Sequence, residues 1–141
     1  MLAYEFNLIM TNLNPRSIIT KDAPKPVGPY SQGVIAGDLL YCSGQIPLNP
    51  STGEIVGNGN IEKETKQVLS NLSAVLNAAG ANTEKVIRTT IYLIDLKDFE
   101  KVNEIYSKFF MEGVSPARAC VQVAALPKGA RIEIDCIAYL G

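Results

Sequence analysis

The chain contains no histidine and no tryptophan, and only 7% of its residues are aromatic. Without imidazole there is no Ser-His-Asp triad, no histidine zinc site and no histidine proton shuttle. Few aromatics leave no platform on which nucleic-acid bases would stack. Charge of one sign is also missing: 13 Lys and Arg against 14 Asp and Glu give a net charge of -1, with no basic footprint for nucleic acid or membrane surface. No apolar run is long enough to cross a membrane. The three cysteines, Cys42, Cys120 and Cys136, are odd in number, widely separated and form no C-x-x-C. They fit reduced thiols of a cytoplasmic protein better than a disulfide framework or a metal site. At 141 residues, 47% of them hydrophobic, the chain is one soluble domain with a core of its own.

What is present alternates between helical and strand patterns. Residues 1–19 differ from the rest and read as an extension, poorly ordered or loosely docked, with Met10 a second candidate start. Its short apolar run lacks the basic start of a signal peptide. The domain proper spans 20–141. It begins with a stiff Pro- and Gly-rich loop that ends at Tyr30, held by the Gly28-Pro29 step. Val34 to Ala36 and Leu39 to Ser43 form a hairpin about Gly37-Asp38, and Gly44 follows where backbone can approach a ligand closely. Ile61, Thr65, Val68, Leu69, Leu72, Val75, Leu76 and Ala79 repeat at helical spacing, with Asn60 as N-cap and Gly80 as stop. A strand over Val86 to Ile94 and a helix from about Leu96 to Met111, capped by Asp95 or Asp98, come next. Strands over about 118–124 and 131–140 close the chain.

The order β-β-α-β-α-β-β predicts an α+β domain whose two helices cover one face of a sheet. Two alternating faces are read on the Val86–Ile94 strand, one with Ile87, Thr89, Ile91 and Leu93, the other with Val86, Arg88, Thr90, Tyr92 and Ile94. Neither is polar enough for water, so a second copy of the chain is expected to cover the open face. The Pro127/Gly129 turn predicts that the last two strands pair antiparallel and bring Arg118 near Glu133. A guanidinium can clamp a carboxylate bidentately, and a glutamate can handle a water or a proton. The plainer reading of that pair is a cross-strand surface salt bridge. Asn103, in the middle of the second helix, reads most simply as a solvated polar position.

Several separated motifs, in order, go further. They are Gly28-Pro29-Tyr30-Ser31-Gln32-Gly33, Ser43-Gly44-Gln45-Ile46-Pro47, and Asn71-Leu72 ahead of Ala78-Ala79-Gly80. Thr89-Thr90 with Asp95-Leu96, Val102-Asn103, Pro116-Ala117-Arg118-Ala119, and Leu126-Pro127-Lys128 before Ile132-Glu133-Ile134 follow. Over Thr20 to Gly141 the chain resembles the RidA/YjgF family of reactive-intermediate deaminases. The resemblance implies a chorismate-mutase-like fold, three subunits joined in a central barrel, and active sites in the clefts between subunits. It implies hydrolysis of 2-enamine and 2-imine acids such as 2-aminoacrylate and 2-aminocrotonate to 2-oxo acids and ammonia. No cofactor or metal is called for, because an iminium carbon is already electrophilic. By the same resemblance Arg118 holds the substrate carboxylate and Glu133 activates the attacking water. Tyr30, Ser43, Gly44 and Asn103 line the cleft, and the Cys120 backbone meets the substrate nitrogen. Asp135 stands where many relatives carry glutamate and is expected to lie away from the chemistry. Two other readings remain within the same fold: an endoribonuclease or translation inhibitor, which the acidic pI and absent histidines disfavour, and a non-catalytic module that binds small carboxylates.

Overall fold

The computed structural model describes Leu2 and residues 14–141. Eight elements make the domain: β1 (Arg16–Ile18), β2 (Gly33–Ala36), β3 (Leu39–Gln45), α1 (Ile61–Ala78), β4 (Val86–Leu93), α2 (Phe99–Phe109), β5 (Ala117–Gln122) and β6 (Ile132–Tyr139). The seven elements read from the pattern are all present. β1 is additional: it lies inside the segment read as an extension, and pairs antiparallel with β2 from Arg16↔Ile35 to Ile18↔Gly33. Three residues with one apolar member carry no pattern of their own; the partner strand makes them a strand. Residues 1 and 3–13 of that segment lie outside the described residues.

Local signals explain where the helices begin and end. The Asn60 side chain accepts the Lys63 N–H at 3.0 Å, and Gly80 takes the left-handed conformation (φ 78°) just past α1. Before α2, Asp95 caps a short 3₁₀ turn (Leu96–Asp98) by accepting the Lys97 N–H at 2.9 Å. Asp98 makes no side-chain cap bond; its carboxylate is engaged by Arg131, 2.6 Å away.

The sheet order is β1-β2-β3-β6-β4-β5. β4, α2 and β5 form a parallel crossover unit, which places β5 at the outer edge beside β4. β6 then returns antiparallel into the centre, between β3 and β4. The expected hairpin of the last two strands does not form, because β4 stands between them.

Buried and less buried residues alternate along β6, with Ile132, Ile134, Cys136 and Ala138 inside. With Ile35, Leu40, Ile91 and Leu93 they pack against Val68, Leu72, Val75 and Leu76 of α1 and Val102 and Tyr106 of α2. Both helices therefore cover one face. β4 departs from the expected alternation at its start: Val86 is buried and Ile87 is 44% exposed, because the ladder to β6 shifts between Val86 and Arg88. The irregularity exchanges the faces of these two residues. Cys42 and Cys136, distant in sequence, are direct cross-strand partners under the helices. The contact with Cys42 and burial push the Cys136 thiol well above its ordinary value.

The opposite face carries Tyr41, Thr90, Tyr92, Val121, Glu133, Asp135, Ile137 and Tyr139, none of them fully buried. Tyr41, Val121 and Tyr139 are exposed by 46%, 42% and 41%. No helix among the described residues is long and apolar enough to cross a membrane.

Candidate active site

Two clusters of the expected site residues lie on opposite faces of the sheet. The first is built where β3 leaves its ladder with β6. Cys42 pairs with Cys136 and Gln45 with Ile134, so Ser43 and Gly44 together oppose the single residue Asp135. Such a bulge re-aims side chains at a strand end. The Ser43 hydroxyl donates to the Ser31 carbonyl at 2.6 Å, and the Ser43 N–H donates to the Gln32 carbonyl at 3.0 Å. Gln32 in turn fastens the loop before it. Its Nε2 donates to the carbonyls of Thr20, Ala23 and Pro24, and its Oε1 accepts the Thr20 N–H at 2.7 Å. Asn71 does the same for the far wall, donating to the carbonyls of Ile46 and Leu48. These two buried amides were not identified as functional by sequence reasoning. Their signal is their place inside the motifs, as polar residues on apolar faces.

Glu133 is half-buried and points to this bulge. A Cβ built on Gly44 would lie 2.7 Å from Glu133 Oε2 and 2.8 Å from its Cδ, so glycine is what lets the carboxylate lie against the β3 backbone. Gly44→Ala is expected to leave the fold intact, since the conflict is with a side-chain end, and to displace the carboxylate. The check is a crystal structure of the folded variant, in which the Glu133 carboxylate is expected to have left its place against the β3 backbone. Tyr30, half-exposed, walls the same cleft, its phenol oxygen accepting the Val27 N–H at 3.4 Å. The cleft has a volume of about 470 Å³ and is completed by Pro24, Lys25, Ile46, Leu48, Pro127 and Lys128. A larger cavity of about 730 Å³ opens on the other side of Tyr30, but no carboxylate or thiol lines it. The Glu133 carboxylate lines the smaller one.

Burial is the main cause raising the Glu133 carboxyl above its ordinary pKa, and the charge of Asp135 adds to it. Asp135 is thus not remote from Glu133. It lies on the same face two residues on, its carboxylate accepting the Tyr92 hydroxyl at 2.9 Å.

The second cluster stands on β5 and α2. Arg118 pairs with Thr89, on the helix side of the sheet, whereas Glu133 pairs with Tyr92 on the open side. The two do not meet within one chain, and the cross-strand salt bridge does not form. Arg118 Nη1 instead donates to Asn103 Oδ1 at 2.8 Å. Asn103 is therefore a partner of the arginine, not a merely solvated position. Cys120 lies two residues beyond Arg118 on the same face, its thiol pushed up by burial and drawn down by the Arg118 charge. The Val123 N–H donates to the Leu93 carbonyl at 2.8 Å, so strand alternation turns the Cys120 peptide groups away from β4, off the free edge. Among the described residues no group of three or more His, Cys, Asp or Glu is placed to hold a metal ion.

Residues 20–140 match the family model described as Endoribonuclease L-PSP. The solved structure of the Rid-family protein YyfA from Yersinia pestis is similar with a TM-score of 0.87 and 48% identity, over 89% of this chain and 99% of that one. The chain belongs to the RidA/YjgF family. Among RidA relatives, human 2-iminobutanoate/2-iminopropanoate deaminase is 48% identical over 132 residues, 94% of this chain and 95% of the human protein. E. coli TdcF, solved with bound serine, is 41% identical with a TM-score of 0.85, over 89% of this chain and 99% of that one. The α+β RidA fold, a six-stranded sheet with two helices on one face, thus stands both on the chain's own topology and on these likenesses.

Proposed function

We propose that this RidA-family chain hydrolyses 2-enamine and 2-imine acids, such as 2-aminoacrylate and 2-aminocrotonate, to 2-oxo acids and ammonia. In this reading it acts as a homotrimer, with each site assembled from the Glu133 cluster of one subunit and the Arg118 cluster of another. The observation that carries the reading is a carboxylate of raised pKa, seated against Gly44 beside the Ser43 hydroxyl, in a cleft that its own chain leaves without an arginine. An edge strand and a half-exposed apolar sheet face on the same chain support its completion by another copy.

The chemistry needs little beyond orientation. The enamine takes a proton at its terminal carbon and becomes the imine or iminium. Arg118 clamps the carboxylate and presents C2 to a water. Glu133 accepts a proton from that water as the oxygen bonds to C2, then returns it to the amine of the tetrahedral adduct. Collapse of the adduct breaks the C–N bond as the C2 hydroxyl gives its proton to Glu133, releasing ammonia and leaving the 2-oxo acid. Glu133 then passes that proton to solvent, which balances the one the enamine took up. Ser43, whose proton is committed to Ser31, keeps lone pairs free to accept from the substrate amine or the water.

Glu133 must be ionised to accept the proton, so activity falls as pH drops through its pKa. Because that pKa is raised, the acid limb should lie above the ordinary carboxylate value of 4.5. Asp135→Asn removes the neighbouring charge and should move the limb towards acid, read as a shift in log(kcat/KM) against pH. An unmoved limb would exclude Asp135 as a contributor. The function itself is tested by a coupled assay, in which a threonine or serine dehydratase makes the enamine in situ and 2-oxo acid formation is followed. Acceleration by this protein that disappears in Arg118→Ala supports the reading; no acceleration from a folded oligomer sinks it.

A further inference from the structure

Arg118 stands on an exposed edge strand, where a long side chain ordinarily samples many rotamers. No carboxylate restrains it: among the described residues the one ion pair is Arg131–Asp98. What surrounds it is aromatic. The guanidinium carbon lies 4.9 Å from the centroid of the Tyr106 ring and 5.5 Å from that of Phe99. Phe99, Asn103 and Tyr106 are spaced at four and three residues, so one stripe of α2 presents all three to the arginine. Tyr106 is itself held: it is 6% exposed, its phenol oxygen is 2.7 Å from Thr89 Oγ1, and its ring packs on Phe110 at 4.6 Å between centroids. Thr89 is the strand partner of Arg118 on β4. The contacts close a ring, from Arg118 to Tyr106 to Thr89 and back through the sheet.

We propose that Tyr106 is a positioning residue for Arg118, a fixed aromatic floor that sets the guanidinium plane so that its remaining N–H groups meet a substrate carboxylate. The inference rests on the reading of Arg118 as the carboxylate clamp and deepens it. A cation over a ring face is attracted to it, and the ring excludes water from one side of the ion pair to be formed. Burial pushes the Tyr106 phenol up, so the ring facing the cation stays neutral. Asn103 then fixes rotation in the plane by taking one N–H of Nη1. Bidentate recognition tolerates little tilt, which is why a floor on one side and an acceptor at one end matter together.

The test compares Tyr106→Leu, Tyr106→Phe and Arg118→Ala in the full-length protein. KM and kcat come from the coupled assay, and the Kd of 2-oxobutanoate comes from calorimetry. Tyr106→Leu is expected to raise KM and the 2-oxobutanoate Kd about tenfold with kcat within about threefold, the pattern of lost uniform binding. Tyr106→Phe keeps the ring and should stay within about threefold of wild type in KM, despite a lower melting temperature from the lost Thr89 bond. Should Tyr106→Leu not fold, wild-type NMR decides. The Arg118 Nε–H resonance should be shifted by the ring current and as ordered as the strand backbone; a mobile, unshifted signal overturns the inference. With Arg118→Ala impaired, an unchanged KM and Kd in folded Tyr106→Leu overturns the floor alone. Unchanged 2-oxobutanoate binding in Arg118→Ala overturns the clamp reading and the floor with it.

Discussion

Glu133→Gln is expected to lower kcat for enamine hydrolysis by about 10²–10⁴-fold, the usual worth of a positioned acid–base group. The substitution keeps the volume that fits against Gly44 and removes the ability to take a proton. Binding of the substrate carboxylate is assigned to Arg118, so KM should change much less than kcat. The fold should tolerate the change well. A carboxyl whose folded pKa is raised contributes stability that is present below its unfolded pKa and lost as pH rises through the folded one. Above its folded pKa Glu133 is therefore held ionised at some cost, and there the neutral amide should melt no lower than wild type. Steady-state kinetics and melting curves measured side by side make the check. A folded Glu133→Gln protein with full turnover would remove Glu133 from the mechanism.

Arg118→Ala should act on the other term. Losing a charge-assisted, bidentate partner of a carboxylate is expected to lower kcat/KM on the order of 10²–10³-fold. Most of that loss should appear in KM, with a smaller part in kcat from poorer orientation of C2. Arg118→Lys should recover only part, since an ammonium keeps the charge but not the fork that Asn103 and the Tyr106 face hold in place. Stability should scarcely change, because the side chain is exposed and makes no ion pair within its own chain. Wild-type kcat/KM in Arg118→Ala would separate this chain from the deaminase reading, whatever Glu133 does.

The fold was legible where the pattern is long. α1 announces itself through eight apolar or small residues at helical spacing between Asn60 and Gly80, and the structure uses both ends as the sequence implies. The Gly37-Asp38 hairpin is equally local: Ala36 pairs with Leu39 directly across it. What was not legible is non-local. Strand order cannot be read from neighbours in sequence, and a short turn between the last two strands invited a hairpin that β4 interrupts. β1 escaped because three residues give no period. The bulge at Ser43-Gly44 and the irregularity after Val86 each shift the ladder, which no alternation rule anticipates.

The site divides in the same way. Residue types and motifs named Arg118, Glu133, Tyr30, Ser43, Gly44, Asn103 and Cys120, and the structure gathers them into two groups, not one. Tyr30, Ser43, Gly44 and Glu133 line one cleft. Arg118 is bonded to Asn103, with Cys120 close enough for the arginine's charge to act on its thiol. The supports behind them, Gln32, Asn71 and the Thr89–Tyr106 pair, look in sequence like ordinary polar or core positions. Only their partners give them meaning, and those lie 8 to 25 residues away.

The separation of Arg118 and Glu133 on two faces of one sheet makes subunit complementation the most direct test. Arg118→Ala and Glu133→Gln proteins, each nearly inactive, would be unfolded together in equal amounts, refolded and assayed. If each site takes Glu133 from one subunit and Arg118 from another, random mixing should restore about a quarter of the wild-type sites. If both residues must come from one chain, no mixed oligomer contains an intact site and activity stays at the level of the separate variants. Recovery near a quarter is the predicted result; no recovery from oligomers shown to be mixed would contradict the shared site.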